Sequence, residues 1–117
     1  MQEKGLPAYL AELIGTLFLV FFITSVVTLY VSTGAQAQFG SDFAVVGFVQ
    51  GLTLFGMIAI FGAVSGGHFN PAVTLAVAAA RRINPLDAVI YILAQLSGAV
   101  LGALLTKSLL EDEGRAT

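Results

Sequence analysis

Three long apolar runs dominate the chain, separated by short polar or glycine-rich breaks. The first, Leu6 to Val31, carries one charged residue, Glu12. The second, Phe43 to Val64, carries none. The third opens at Asn84-Pro85-Leu86-Asp87, with Asn84 as cap and Pro85 as first helical residue, and runs to about Leu109. Each is long enough to cross a hydrocarbon core of about 30 Å as a helix with some tilt. Met1 to Gly5 is a short polar start, Ser32 to Asp42 a Gly-, Ser- and Gln-rich stretch expected as an exposed loop, and Glu111 to Thr117 a polar tail. The pattern predicts an all-α membrane protein: one unit over 1–117, with transmembrane helices over about 6–31, 43–64 and 86–109.

Composition narrows this further. Of 117 residues, 57% are hydrophobic and 10% charged, and the mean hydropathy is +0.93. These values exclude a disordered chain. A net charge of -2 gives no reason to invoke nucleic acid. The absence of cysteine excludes disulfides and thiolate metal sites. Ala35-Gln36-Ala37 resembles a signal-cleavage site, but the apolar run ahead of it far exceeds the roughly 7–15 residues of a signal h-region. A retained transmembrane helix is the better reading.

Residues 65–80 break the pattern in a different way. Gly66 and Gly67 disrupt the second span, and Asn70-Pro71 starts a new helix: Asn can accept from a free N–H of the first turn, and Pro lacks only an N–H that would be orphaned there. That helix runs from Pro71 to about Ala80 and stops at Arg81-Arg82. At about 1.5 Å per residue it reaches only half-way across a bilayer. With both arginines at one membrane surface, Asn70 lies near the midplane, where the helix N-terminus brings unpaired N–H groups and partial positive charge. Broken backbone at that depth requires surrounding protein or a water-filled cavity. An interfacial helix fits poorly, because Phe69 to Ala80 has no polar face for the headgroups. Asn84-Pro85 is the internal control: the same dipeptide there is an ordinary helix start at the surface, so depth, glycines and a short apolar helix carry the argument.

Few residues offer chemistry. Glu12 is an intramembrane charge and therefore a functional candidate. It can couple a proton, or it can accept N–H bonds from the unwound Ser65–Phe69 backbone; the second role is the expectation adopted here. Gln95 is expected as a second buried polar group, with interhelical hydrogen bonding as its simpler role. His68 is the only histidine and has no second ligand type nearby, so no metal site is expected. No nucleophile–base set or phosphate loop is evident; neither enzyme activity nor a cofactor is expected. Small residues four apart at Gly47/Gly51, Gly62/Gly66 and Ala94/Gly98/Gly102 read as helix-packing positions.

The stretch Ser-Gly-Gly-His-Phe-Asn-Pro-Ala-Val-Thr resembles the first signature loop of the aquaporin and aquaglyceroporin channels, the major intrinsic protein family. Ala11-Glu12-Leu13-Ile14-Gly15-Thr16 resembles the family's first helix, Gly51-Leu52-Thr53 sits at its usual distance ahead of the loop, and Ala94-Gln95-Leu96-Ser97-Gly98-Ala99 resembles its third helix. The likeness covers nearly the whole chain but only the N-terminal half of a family member. It implies half of an aquaporin fold in the cell membrane, and a passive channel for water or small neutral solutes such as glycerol. The pore would be lined by Asn70, Pro71 and Ala72 and by the carbonyls of Gly66, Gly67 and His68. Asn70, its oxygen used in the cap, would offer amide hydrogens to water, and the half-helix dipole would oppose cations and protons, a device already known for aquaporin-type pores.

The resemblance also implies a missing partner. A full member has a second Asn-Pro-Ala loop, usually followed by a filter arginine; here the single Asn-Pro-Ala precedes Val73. The filter position before Gly51-Leu52, commonly aromatic, is Gln50. Besides the lipid bilayer, the expected partner is therefore a second half-channel, either an antiparallel copy or a C-terminal half. The alternative is a non-conducting fragment or membrane interaction subunit.

Overall fold

A computed structural model describes the backbone of residues 3–32 and 39–115 and the side chains of 3–30 and 42–111. Helix α1 spans Leu6–Val27 and passes into a π-helical turn at Thr28–Ser32. The Thr24 and Thr28 hydroxyls bond back to the Val20 and Thr24 carbonyls at 2.7 and 2.8 Å, a competition with the helical ladder that loosens helices locally. Helix α2 spans Phe39–Ser65, α3 Pro71–Ala79 and α4 Pro85–Arg115. Among the described residues, three stretches are long and apolar enough to span a bilayer: Leu6–Tyr30, Asp42–Ser65 and Pro85–Glu111.

Two boundaries differ from the sequence pattern. Phe39 to Asp42, expected in a loop, already belongs to α2, and residues 33–38 of that expected loop lie outside the described residues. At the other end α4 runs past Leu109, but Leu110 is non-helical (φ -121°, ψ 24°) and interrupts the ladder where the apolar run stops. The Asn84 cap forms: its Oδ1 accepts from the Leu86 amide at 2.9 Å.

Helix α1 is the centre of the bundle. It packs on α4 along its length and on α2 on its other side, while α3 lies against α4. Gly98 and Gly102 let α4 approach α1 so closely that a Cβ on either would overlap the carbonyls of Leu13 and Leu17. That is the close-packing role of small residues in lipid. Gly47 and Gly51 do not share it within this chain, because a Cβ at either meets open space. Near the far end, Thr106 Oγ1 bonds Thr24 Oγ1 at 2.7 Å and the Phe21 carbonyl at 3.1 Å. At the near end, Asp87 accepts from the Lys4 amide at 3.0 Å and from the Tyr9 hydroxyl.

The largest fully buried side chains are Tyr91, Gln95, Glu12, Thr74 and Ser65. Four of the five are polar or charged, so the centre of this apolar molecule is a hydrogen-bonded cluster. Lipid can cover apolar faces, but it cannot satisfy donors and acceptors.

Candidate pore loop and half-helix

The loop is built by denying its amides to the outside. Helix α2 closes with the Gly66 amide on the Gly62 carbonyl at 2.8 Å. Gly66 and Gly67 then take left-handed φ values of 91° and 67°, which cost glycine little. The next three amides turn inward. Gly67 N–H donates to Ser65 Oγ at 3.1 Å, His68 N–H to Glu12 Oε2 at 3.1 Å, and Phe69 N–H to Glu12 Oε1 at 2.8 Å. In a trans peptide the carbonyl opposes the N–H of the following residue, and the described backbone has no cis bond. The carbonyls of Gly66, Gly67 and His68 therefore point away from the buried cluster, as a row of acceptors.

Glu12 anchors this arrangement from α1. Its carboxylate is fully buried and receives two further bonds, from Ser65 Oγ at 2.6 Å and Gln95 Nε2 at 2.7 Å. Four donors thus converge on its two oxygens, which suits an acceptor-only ionised carboxylate. The Tyr91 hydroxyl holds the Ser65 carbonyl at 2.7 Å.

The half-helix leaves the loop at Asn70, whose backbone is extended (φ -159°, ψ 127°). Its Oδ1 accepts from the Ala72 amide at 2.8 Å. With the oxygen committed to the cap, the side-chain NH2 remains on an exposed residue. The nine residues of α3 measure about 14 Å. The helix ends at Ala80, and Arg81, at φ 59°, turns the chain with both arginines exposed.

The structure brings Glu12, Gln95 and the His68 backbone together and sets Asn70, Pro71 and Ala72 at the start of α3. Gln50 and Val73 are exposed, on α2 and α3, and neither bonds to the Glu12 cluster. Sequence reasoning missed four contributors. The Ser65 hydroxyl was not singled out from the expected loop backbone, and Tyr91 was hidden among ordinary helix residues. Thr74 bonds both His68 Nδ1 at 2.8 Å and Gln95 Nε2 at 2.9 Å; a lone hydroxyl one turn into an apolar half-helix was the available signal. Phe69, at φ 52°, turns its ring onto Gly15, and nothing in the sequence pattern announces that pairing.

The sequence pattern of the major intrinsic protein family matches residues 2–117. The chain belongs to the major intrinsic protein family. It is 41% identical over 106 residues to a glycerol uptake facilitator protein-like chain of Lactiplantibacillus plantarum, covering 91% of this chain and 45% of that one. It is 40% identical to a probable aquaporin of Oryza sativa subsp. japonica, over 91% of this chain and 43% of the relative. With aquaporin Z of Photorhabdus laumondii the identity is 41%, over 80% of this chain and 39% of the relative. The chain thus spans a little under half the length of these curated relatives. As a major intrinsic protein chain with three membrane-length helices and a half-helix, it has the elements of half an aquaporin fold.

Proposed function

We propose that this chain is half of a passive channel for water and small neutral solutes such as glycerol, with no catalytic role, in a cell membrane. The observation that carries the proposal is the paired polarity at one place. A row of outward carbonyls over Gly66, Gly67 and His68 ends at Asn70, whose oxygen is held by the Ala72 amide so that its NH2 is free to donate. A water molecule passing from the carbonyls to Asn70 exchanges acceptors for a donor without losing hydrogen bonds. The half-helix dipole disfavours cations at the same point. Glu12 supports the loop and does not relay protons: its two oxygens already receive four donors.

One half-helix reaches the midplane from one side only, and among the described residues α2 packs only on α1 and the π-helical turn that continues it. The proposed pore is completed by a second half of the same architecture in inverted orientation, a second copy or a C-terminal half. Inverted repeats bring two half-helices to the midplane in this way. The test is stopped-flow light scattering on liposomes holding this chain alone, with sided maleimide labelling of Ala80→Cys. Water permeability above that of empty liposomes, with label accepted from both sides, supports an inverted pair. Label from one side with no permeability rejects the pair and leaves the C-terminal half, to be tested by co-reconstitution. No permeability with either partner rejects the channel proposal.

A further inference from the structure

The buried cluster does more than hold the backbone, because its proton inventory has one solution. Glu12 accepts and cannot donate, so the Gln95 side-chain atom 2.7 Å from Oε1 is its nitrogen. This orientation leaves Gln95 Oε1 buried without a partner among the described residues; turning the amide over would instead press that oxygen against a carboxylate. The second hydrogen of the Gln95 amide then donates to Thr74 Oγ1 at 2.9 Å. Thr74 is fully buried, and its hydroxyl, having accepted from Gln95, still has its own proton to place. The acceptor beside it is His68 Nδ1, at 2.8 Å. An Nδ1–H there would set two donors on Thr74 and leave the hydroxyl proton buried without an acceptor, at a cost of roughly 1–3 kcal/mol. The imidazole proton therefore sits on Nε2.

We propose that Thr74 and Gln95 are positioning residues that hold His68 as its Nε2–H tautomer, so that the ring offers a donor to solute oxygens beside the row of loop carbonyls. The Tyr91 ring fixes the imidazole plane by an edge contact, centroids 5.1 Å apart at 66°. Nε2 lies on the Gly66 side, where a Cβ would come within 3.4 Å of it, and both residues are accessible. The relay Glu12–Gln95–Thr74–His68 thus turns one buried charge into a fixed donor at the loop surface, on the same residue that supplies the row's last carbonyl. The solute-facing half of the proposal rests on the channel reading; the tautomer does not.

The single histidine makes the test direct. Magic-angle-spinning NMR of 15N-histidine-labelled chain in lipid bilayers reads the protonated ring nitrogen without assignment, above the ordinary histidine titration range. The expected spectrum has all intensity as Nε2–H with a hydrogen-bonded Nδ1, against a mixture of tautomers in the denatured chain. Thr74→Ser keeps this pattern. Thr74→Val loses the Nδ1 hydrogen-bond shift, and Gln95→Leu, which frees Thr74 to accept, gains Nδ1–H intensity. An Nδ1–H tautomer in the parent chain, or a Thr74→Val spectrum identical to the parent, overturns the relay. Each variant is first required to give the parent's backbone spectrum. Magnetisation transfer from water to Nε2–H tests the solute-facing half; its absence in the correctly tautomeric parent overturns that half. None of these signals depends on flux, so failure of the relay and failure of the channel reading are separable.

Discussion

The ring of Phe69 lies directly on the Cα of Gly15, in space that any β-carbon on that residue would occupy. The left-handed backbone at Phe69 (φ 52°) aims its side chain at α1, and Phe61 of α2 flanks it edge-on at 6.5 Å. The loop is thereby pinned to α1 by two neighbouring contacts, this ring and the Phe69 amide on Glu12.

Gly15→Ala is expected to destabilise the folded chain by about 1–3 kcal/mol, the usual range for overpacking a tight site. The ring must withdraw, and the amide bond to Glu12 lengthens with it. Unfolding in a mild detergent, followed by circular dichroism, measures the first effect. Gly47→Ala, where a methyl meets open space, is the matched control and is expected to be silent. Equal midpoints for the two variants would show that the ring is not held as described.

Glu12→Gln tests the anchor. The replacement keeps shape but offers one acceptor oxygen and one NH2 to four donors. Whichever way the amide turns, its NH2 faces one backbone N–H, of Phe69 or of His68, that has no other acceptor, while the Gln95 amide or the Ser65 hydroxyl beside it can reorient to accept. A buried unmet donor costs about 1–3 kcal/mol. The expected result is a loss of about 1–3 kcal/mol together with faster hydrogen exchange at His68 or Phe69. A stable variant with unchanged exchange at those amides would remove Glu12 from its proposed role.

Much of this architecture is legible in the sequence, for a physical reason. In lipid a charge, a broken helix and a short apolar segment each stand out against a uniform background, so Glu12, Gly66-Gly67 and the α3 start at Asn70 could be located by position alone. Thr74, Ser65 and Tyr91 could not. Hydroxyls are common in membrane helices, and which of them face a buried carboxylate depends on helix rotation, which an all-round apolar helix does not encode. Spacing failed at Gly47 and Gly51 for a related reason. A repeat of four marks a face capable of close approach, but does not say whether the helix that fills it lies in the same chain.

Asn70→Ala is expected to affect stability and transport together. Loss of the Oδ1 bond to the Ala72 amide removes an N-cap worth about 0.5–2 kcal/mol, and the exposed NH2 goes with it. Asn70→Asp separates the two effects: the cap oxygen remains, while the donors are replaced by a negative charge. On the channel reading, the aspartate variant keeps thermal stability near that of the parent but loses water flux in liposomes at matched protein density. Retained flux in both variants would exclude Asn70 from the solute path.

On the channel reading, solute choice is expected to turn on Gln50 and Val73, both of which are exposed. In an inverted pair, each copy places Val73 after its Asn-Pro-Ala, so no filter arginine narrows the path or adds charge. Gln50 supplies a flexible amide where family members commonly have a ring, and an amide can both donate to and accept from a hydroxyl. Pore width, lining donors and electrostatic barriers together set selectivity in such channels, and here the first is relaxed while the second is enriched. The chain reconstituted alone is therefore expected to pass glycerol as well as water, with the paired half-helix dipoles as the main barrier to cations. Gln50→Trp, which restores bulk and removes the amide, is expected to lower glycerol flux more than water flux. Water and glycerol permeabilities measured in parallel on the same liposomes decide it: clear water flux with glycerol at the empty-liposome level in the parent chain would mean that Gln50 and Val73 do not set the width of the path.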